Sequence, residues 1–373
     1  MTACIKESPL PQAPAYEFTF GGSGNEVAGG AALLPDGGFL LVGGSQNPAS
    51  HDYDLYILKI DASGKEVFSH TFGDDSHDEV GWKIVQNLAG EFVVFGTRRP
   101  RTGGQSELQL TLLDADLNVR WQTASAINIP NAGLRLYGAN FYELAGGGYI
   151  AGFGTDQNLV TVRFDDGGRK IDENILLGAT AEENGHFFTR LPDSSFVTIS
   201  NDAIYGSGNI FLRFSSDRFG NYQGQSQVII SSNYRLRINA VCGLESGGLV
   251  VSAADQDQSQ HVLFQLDSNM VQGNVVIRNG LPYYHDLLPL TDGRFFLVGY
   301  DSYGGNFYGG DESFKALMVD SSFSDIRLGN YGGLGIERLR HALPTRDGRV
   351  LLLGETDSYG EGGADLYLTF FKE

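Results

Sequence analysis

The sequence predicts an all-β fold that closes on itself, and three observations carry the prediction. The first is a repeat. Leu34-Pro35-Asp36-Gly37-Gly38-Phe39-Leu40-Leu41-Val42-Gly43 reads as a tight turn followed by a buried apolar strand, and degraded copies begin at Leu88, Leu144, Leu191, Leu244, Leu290 and Leu343. Their spacing of roughly 50 residues is the period of a propeller or a similar array. The second is composition. The 51 glycines among 373 residues sit largely at turns, as many short strands require, and no amphipathic helix of useful length occurs. The third is a strand count that does not close in order. The seventh repeat supplies three strands and stops at Glu373, while the chain opens with a surplus strand of the fourth type, Tyr16 to Phe20. Setting that strand on the last blade removes an open edge. The expected architecture is a seven-bladed β-propeller of four-stranded blades with one-plus-three closure.

Taken in order, residues 1–14 read as a tether and residues 15–373 as the propeller. Ile5 to Pro14 holds three of the 11 prolines and no apolar periodicity, which marks an extended linker. Thr2-Ala3-Cys4 ahead of it resembles the end of a bacterial lipoprotein signal, with small residues before an acylated cysteine. On that reading Cys4 carries lipid and the chain is exported, held at the membrane on the periplasmic or cell-surface side. The other reading is an ordinary exposed N-terminal cysteine. The first blade is expected as Val27 to Leu34, Phe39 to Gly43, Asp54 to Ile60 and Glu66 to Phe72. Strand three recurs at Leu108 to Leu113, Leu159 to Phe164, Ile210 to Phe214, His261 to Leu266, Phe314 to Val319 and Asp365 to Phe371, each of the first five followed by a polar turn. A single four-stranded sheet cannot cover both of its apolar faces, so each blade needs its neighbours.

Composition narrows the partners. A net charge of −19 repels phosphate backbones and anionic headgroups, so nucleic acid is not expected and the membrane is reached only through the N-terminal lipid. No run of ~18 apolar residues suggests a spanning helix. The two cysteines make no disulfide framework, and Cys242, inside the run Ile238 to Cys242, reads as a small core residue. The chain reads as a monomer.

Phe20-Gly21-Gly22-Ser23-Gly24-Asn25-Glu26, Asp36 to Gly43 and Asp54 to Gly64 together resemble the bacterial seven-bladed β-propeller repeat. In that repeat a Gly-Gly-Ser-Gly-acid turn, an apolar Gly-ended strand and an Asp-led strand recur. The likeness spans residues 16–373, clear in blades one, six and seven and faint in blades three to five. It implies fold and an exported or surface address, and no single activity.

Enzyme signatures are poor. Gly21-Gly22-Ser23-Gly24-Asn25 lacks the last glycine of a nucleophile elbow. No P-loop, His-x-x-x-His or paired-cysteine spacing occurs, and neither cofactor nor metal is implied. Asp114-Ala115-Asp116-Leu117-Asn118 starts like a calcium loop but has Val119 where glycine is needed, and Asp255 to Ser259 fails in the same way with Gln260. His77 among Asp74, Asp75, Asp78 and Glu79 reads as a solvated acidic turn. Glu26, Glu79 and Glu337 hold equivalent repeat positions, as do Asp54 and Asp365, and bonding of loop backbone is the plainer role for them.

Loop length points to one face. Connections from strand two to three and from blade to blade are long and varied, and both emerge on the same face of a propeller; the opposite turns are too short to build a pocket. On that face Arg235, Arg237, Tyr284, His285, Asp286, Arg338 and Arg340 are the candidate ligand-binding residues, because they do not all follow from the repeat and bring positive charge to an acidic protein. Arginines, acids and aromatics around one mouth suit a hydroxyl-rich or carboxylate-bearing ligand. The plainer reading is that the arginines pair with Glu26, Asp286 and Glu337 to fix blade order. The expected function is a non-catalytic binding propeller for a glycan or a partner protein. The alternative is an exported polysaccharide hydrolase or lyase with its site at the channel mouth.

Overall fold

A computed structural model describes residues 17–127, 137–155, 158–178, 186–201, 209–230, 236–255, 260–279, 283–290, 292–301, 313–333, 335–361 and 363–371. The described residues form seven antiparallel four-stranded sheets and no helix. Blade 1 runs Glu26–Leu33, Phe39–Gln46, Tyr53–Ile60 and Glu66–Phe72, from the channel outward. The inner strands of the next blades are His77–Gln86, Tyr137–Glu143, His186–Arg190, Leu236–Gly243, Tyr283–Pro289 and Glu337–Pro344. In blade 7 the inner strand is followed by Val350–Thr356 and Asp365–Phe371, and the outermost place is taken by Glu17–Phe20 from the start of the chain. This is the one-plus-three closure read from the strand count. The tether and Cys4 lie outside the described residues. No helix among the described residues is long and apolar enough to cross a membrane.

The repeated stretch folds the same way in every blade. In blade 1 the Leu34 amide donates to the Gly38 carbonyl and Gly37 N donates back to Leu34 O at 3.0 Å. The third turn residue has positive φ in all seven copies: Gly37, Gly90, Gly147, Ser194, Gly247, Gly293 and Gly348. Glycine adopts that conformation without strain, which is why Asp-Gly and Ala-Gly recur there. The turn after strand three repeats as well. The Oδ1 of Asp61, Asp114, Asp165, Asp217, Asp267 and Asp320 each accepts the amides two and four residues on. Asp114 therefore spends its carboxylate on its own backbone, and the calcium-like spacing is a turn motif.

Burial falls off radially. Strands two and three are the most buried, as in Val350–Thr356 and Asp365–Phe371, while the outer strand Glu66–Phe72 is exposed along nearly its whole length. Apolar clusters lie between blades, not within them. One joins Phe95 of blade 2 to Phe141 and Phe153 of blade 3, with Phe95 and Phe141 stacked at 5.3 Å. Another joins Leu58 and Ile60 of blade 1 to Leu368 and Phe370 of blade 7 and receives Phe18 and Phe20. Cys242 is buried in the cluster between blades 5 and 6, and burial pushes its thiol up to about 12.

Candidate functional site

The inner strands build two polar levels. Six of them carry a bulge one residue wide at about the same height, marked by Trp82, Asn239, His285, Arg340 and the pairs Gly29-Gly30 and Gly138-Ala139. Three residues before the end of each inner strand the ring reads Gly30, Lys83, Asn140, Phe187, Ala240, Asp286 and His341. Two of these side chains, Asn140 and Asp286, reach the next blade. Asn140 Nδ2 donates to Phe188 O at 2.7 Å. Asp286 Oδ2 accepts the equivalent amide, Ala342 N, at 3.2 Å, and lies 3.4 Å from His341 Nδ1. The hydrogen bond and charge of His341, and after them the field of Lys83, hold the Asp286 carboxyl below the usual carboxylate range, against the burial that would raise it. Burial depresses both bases. The result is an ionised aspartate at the channel waist, fixed by backbone.

The predicted arginine-rich patch dissolves into separate roles. Tyr284 is 0% exposed and packs edge-on against His261 at 4.9 Å, so its ring belongs to the core between blades 5 and 6 and is closed to a ligand. Asp286 holds blade 6 to blade 7 through His341 and backbone, and among the described residues pairs with none of the arginines suggested for it. Arg340 pairs bidentately with Glu355, Nε to Oε1 at 3.2 Å and a terminal nitrogen to Oε2 at 3.0 Å, while Glu355 also accepts Ala28 N of blade 1 at 3.0 Å. Arg338 is exposed on the same strand, and Arg237 is half-buried opposite Ala254. His285 is the bulged residue of its strand. Arg235 lies outside the described residues.

The upper level carries buried acids. Glu26 and Glu337 open their inner strands, Glu79 stands third in its own at the equivalent register, and the three are 2%, 0% and 2% exposed. In each, one carboxylate oxygen is engaged by the facing residue of strand two: Ser45 Oγ to Glu26 at 2.9 Å, Arg98 Nε to Glu79 at 3.3 Å, Thr356 Oγ1 to Glu337 at 2.9 Å. The plainer reading of these acids is in part what the structure shows, since they are set by the repeat. Burial first, then the charge of Asp365, pushes Glu26 up to about 7, with Ser45 opposing.

Asp74, His77 and Glu79 bring three ligand atoms within 4.8 Å of one another. Arg98 occupies that space: its terminal nitrogen lies 2.7 Å from Asp74 Oδ2 and its Nε faces Glu79. The guanidinium supplies the cation, so the trio is an ion-pair network. Ser76, His77 and Asp74 are no charge relay either, because Ser76 Oγ at 2.7 Å and Asp74 at 2.9 Å both contact the same ring nitrogen, Nδ1. Ser252 and His261 are joined at 2.8 Å but are 0% and 1% exposed, out of reach of a substrate.

A cleft among the described residues lies on the predicted face but not at the predicted residues. It has a volume of 480 Å³ and sits between the blade-to-blade connection at Gly21, Gly22, Ser23 and Gly24 and the strand two-to-three loop at Gln46, Asn47 and Pro48. Tyr56, Thr71, Asp54 and Glu26 complete its wall. Sequence reading missed Gln46, Asn47, Tyr56 and Thr71 because nothing local distinguishes them; they meet only when blade 1 curls beneath its own loops. Lys83 left a signal: it is the lone cation inside the strand Gly81-Trp82-Lys83-Ile84-Val85.

No family model matches the chain, and no curated protein does. Solved structures do resemble it. A streptogramin B lyase shares 12% identity at a TM-score of 0.54, over 95% of this chain and 99% of that one. A polysaccharide lyase of family PL25, an ulvan lyase, shares 11% identity at 0.56, over 94% and 96%. A protein from Lactobacillus plantarum shares 12% at 0.52, over 83% and 85%. At such identities the likeness concerns the fold alone, and on that fold chain and neighbours agree: this is a seven-bladed β-propeller.

Proposed function

We propose that the chain is a non-catalytic binding propeller whose ligand is a glycan, held on the face that bears the blade-to-blade connections. The observation that carries the reading is the cleft of blade 1. Its wall offers amides (Gln46, Asn47), hydroxyls (Ser23, Thr71, Tyr56) and open backbone of the glycine loop, with carboxylates at its base. Such a set donates and accepts many hydrogen bonds at modest charge, which matches a hydroxyl-rich ligand, and a volume of 480 Å³ falls in the usual range of ligand sites. Arg338, exposed on the inner strand of blade 7, and the half-buried Arg237 are charged candidates of the sequence-predicted set among the described residues.

A glycan array with reducing-sugar release measured in parallel tests this. Binding without release is expected, lost at least tenfold in Gln46→Ala and Asn47→Ala with an unchanged Tm. Loss in Arg338→Ala alone would move the site to blade 7. Sugar release would favour the polysaccharide hydrolase or lyase, and silence on every glycan would favour a protein partner.

The address is part of the proposal. Thr2-Ala3-Cys4 and the Pro-rich tether support an exported lipoprotein acylated at Cys4. Mass spectrometry of native protein from the membrane fraction should find an N-terminus at Cys4 carrying diacylglycerol and acyl mass. An unmodified thiol on a cytoplasmic species rejects it.

A further inference from the structure

We propose that the seam between blades 7 and 1 binds a hard divalent cation between Glu26 and Asp365. The proposal is independent of the glycan reading and rests on comparing one repeat position across the molecule.

At each of three blade boundaries a glutamate lies in the first three residues of the inner strand, with one carboxylate oxygen engaged by the facing strand. The other oxygen, Oε2 of Glu26, Glu79 and Glu337, is buried and meets no hydrogen-bond donor among the described residues. A buried carboxylate oxygen without donor or counter-charge is costly, so each of these positions calls for positive charge or a proton. The boundary between blades 1 and 2 shows how the chain can meet that demand. There the facing residue is Arg98, whose guanidinium bridges Glu79 and Asp74. At the seam the residue in the same register is Ser45, which donates one hydrogen bond and carries no charge. Glu26 makes no ion pair with a lysine or arginine among the described residues.

The demand is greatest at the seam, because a second carboxylate converges there. A Cβ placed on Gly21 would collide with both Glu26 Oε2 and Asp365 Oδ1, so the two oxygens flank one small space that glycine leaves open. Asp365 is 2% exposed, and its other oxygen accepts Glu361 N at 3.1 Å. Two buried carboxylates around one space, with only oxygen donors nearby, favour a hard cation such as Ca²⁺ or Mg²⁺ over a soft metal. Glu26 also lines the cleft, which gives the ion an entrance and the water that completes its shell. Bound there, the ion would join the inner strand of blade 1 to the third strand of blade 7, across the junction where the two ends of the chain meet.

The test is calorimetric titration of the full chain with CaCl₂ and with MgCl₂, alongside thermal unfolding in either salt or EDTA. Binding of at least one ion is expected, with Tm raised on the order of 5 °C at 100-fold excess over Kd and restored by EDTA. Glu26→Gln should remove both responses. Ser45→Arg, which installs at the seam the cation that Arg98 supplies in blade 2, should remove both while holding the EDTA Tm at or above that of the wild type. No heat and no shift with either ion in the wild-type chain overturns the proposal and leaves the two carboxyls sharing a proton. A response that persists undiminished in Ser45→Arg overturns it as well, even if Glu26→Gln does not fold.

Discussion

Removing residues 1–22 will unfold or aggregate the protein at temperatures where a chain lacking only residues 1–14 remains folded. The shorter deletion spares Glu17–Phe20, which pairs with the last strand in the register Glu17↔Thr369, Phe18↔Leu368, Thr19↔Tyr367 and Phe20↔Leu366. The longer deletion strips that strand. It withdraws Phe18 and Phe20 from the cluster around Phe39, Leu368 and Phe370, and the edge-on contact of Phe18 with Phe370 at 6.4 Å is lost. The partner of the Tyr367 hydroxyl, Glu17, goes too. Two partly buried phenylalanines and a four-residue ladder amount to roughly 5 kcal/mol or more, on the scale of total domain stability. The bared edge of Asp365–Phe371, buried along its length in the closed ring, would then template association. Thermal unfolding with light scattering reads both effects. Midpoints within about 2 °C of each other would mean that the ring does not depend on its N-terminal strand.

Asp286→Ala will destabilise the protein by about 1–3 kcal/mol, the usual cost of leaving a partly buried polar group without its hydrogen-bond partner. It orphans Ala342 N and leaves Lys83 and His341 at the channel waist without their counter-charge. The sign with pH is fixed by the depressed carboxyl. A group with its folded pKa below the unfolded one contributes stability above the unfolded value near pH 4 and loses it as pH falls further, so the full effect is present at pH 7. Asn at the same place should cost less, because its carbonyl can still accept Ala342 N. Adding Lys83→Met to Asp286→Ala should restore part of the loss, a coupling that a double-mutant cycle in denaturant measures. A cost below about 1 kcal/mol, or strict additivity of the two changes, would return Asp286 to the list of candidate ligand residues.

How much was legible in the chain differs by level. The turn of Pro35 to Gly38, the apolar strand behind it and the surplus strand at Tyr16 to Phe20 sufficed for blade number, strand order and closure, because each depends on neighbours a few residues apart or on a count that must come out even. The Asp114 turn was legible as well, since its partners lie two and four residues on. Side-chain roles were not. Tyr284 and Asp286 are separated by one residue in sequence, yet the bulge at His285 places one in the core and leaves the other spanning to Ala342, a partner 56 residues away. Arg98 and Ser45 look unrelated in the chain and become equivalent only through strand register. The sequence by itself determined the repeat, and with it the propeller, because periodic burial and turn chemistry are local. Only the tertiary structure decided which charges meet, because inter-blade contacts join residues whose spacing along the chain carries no period.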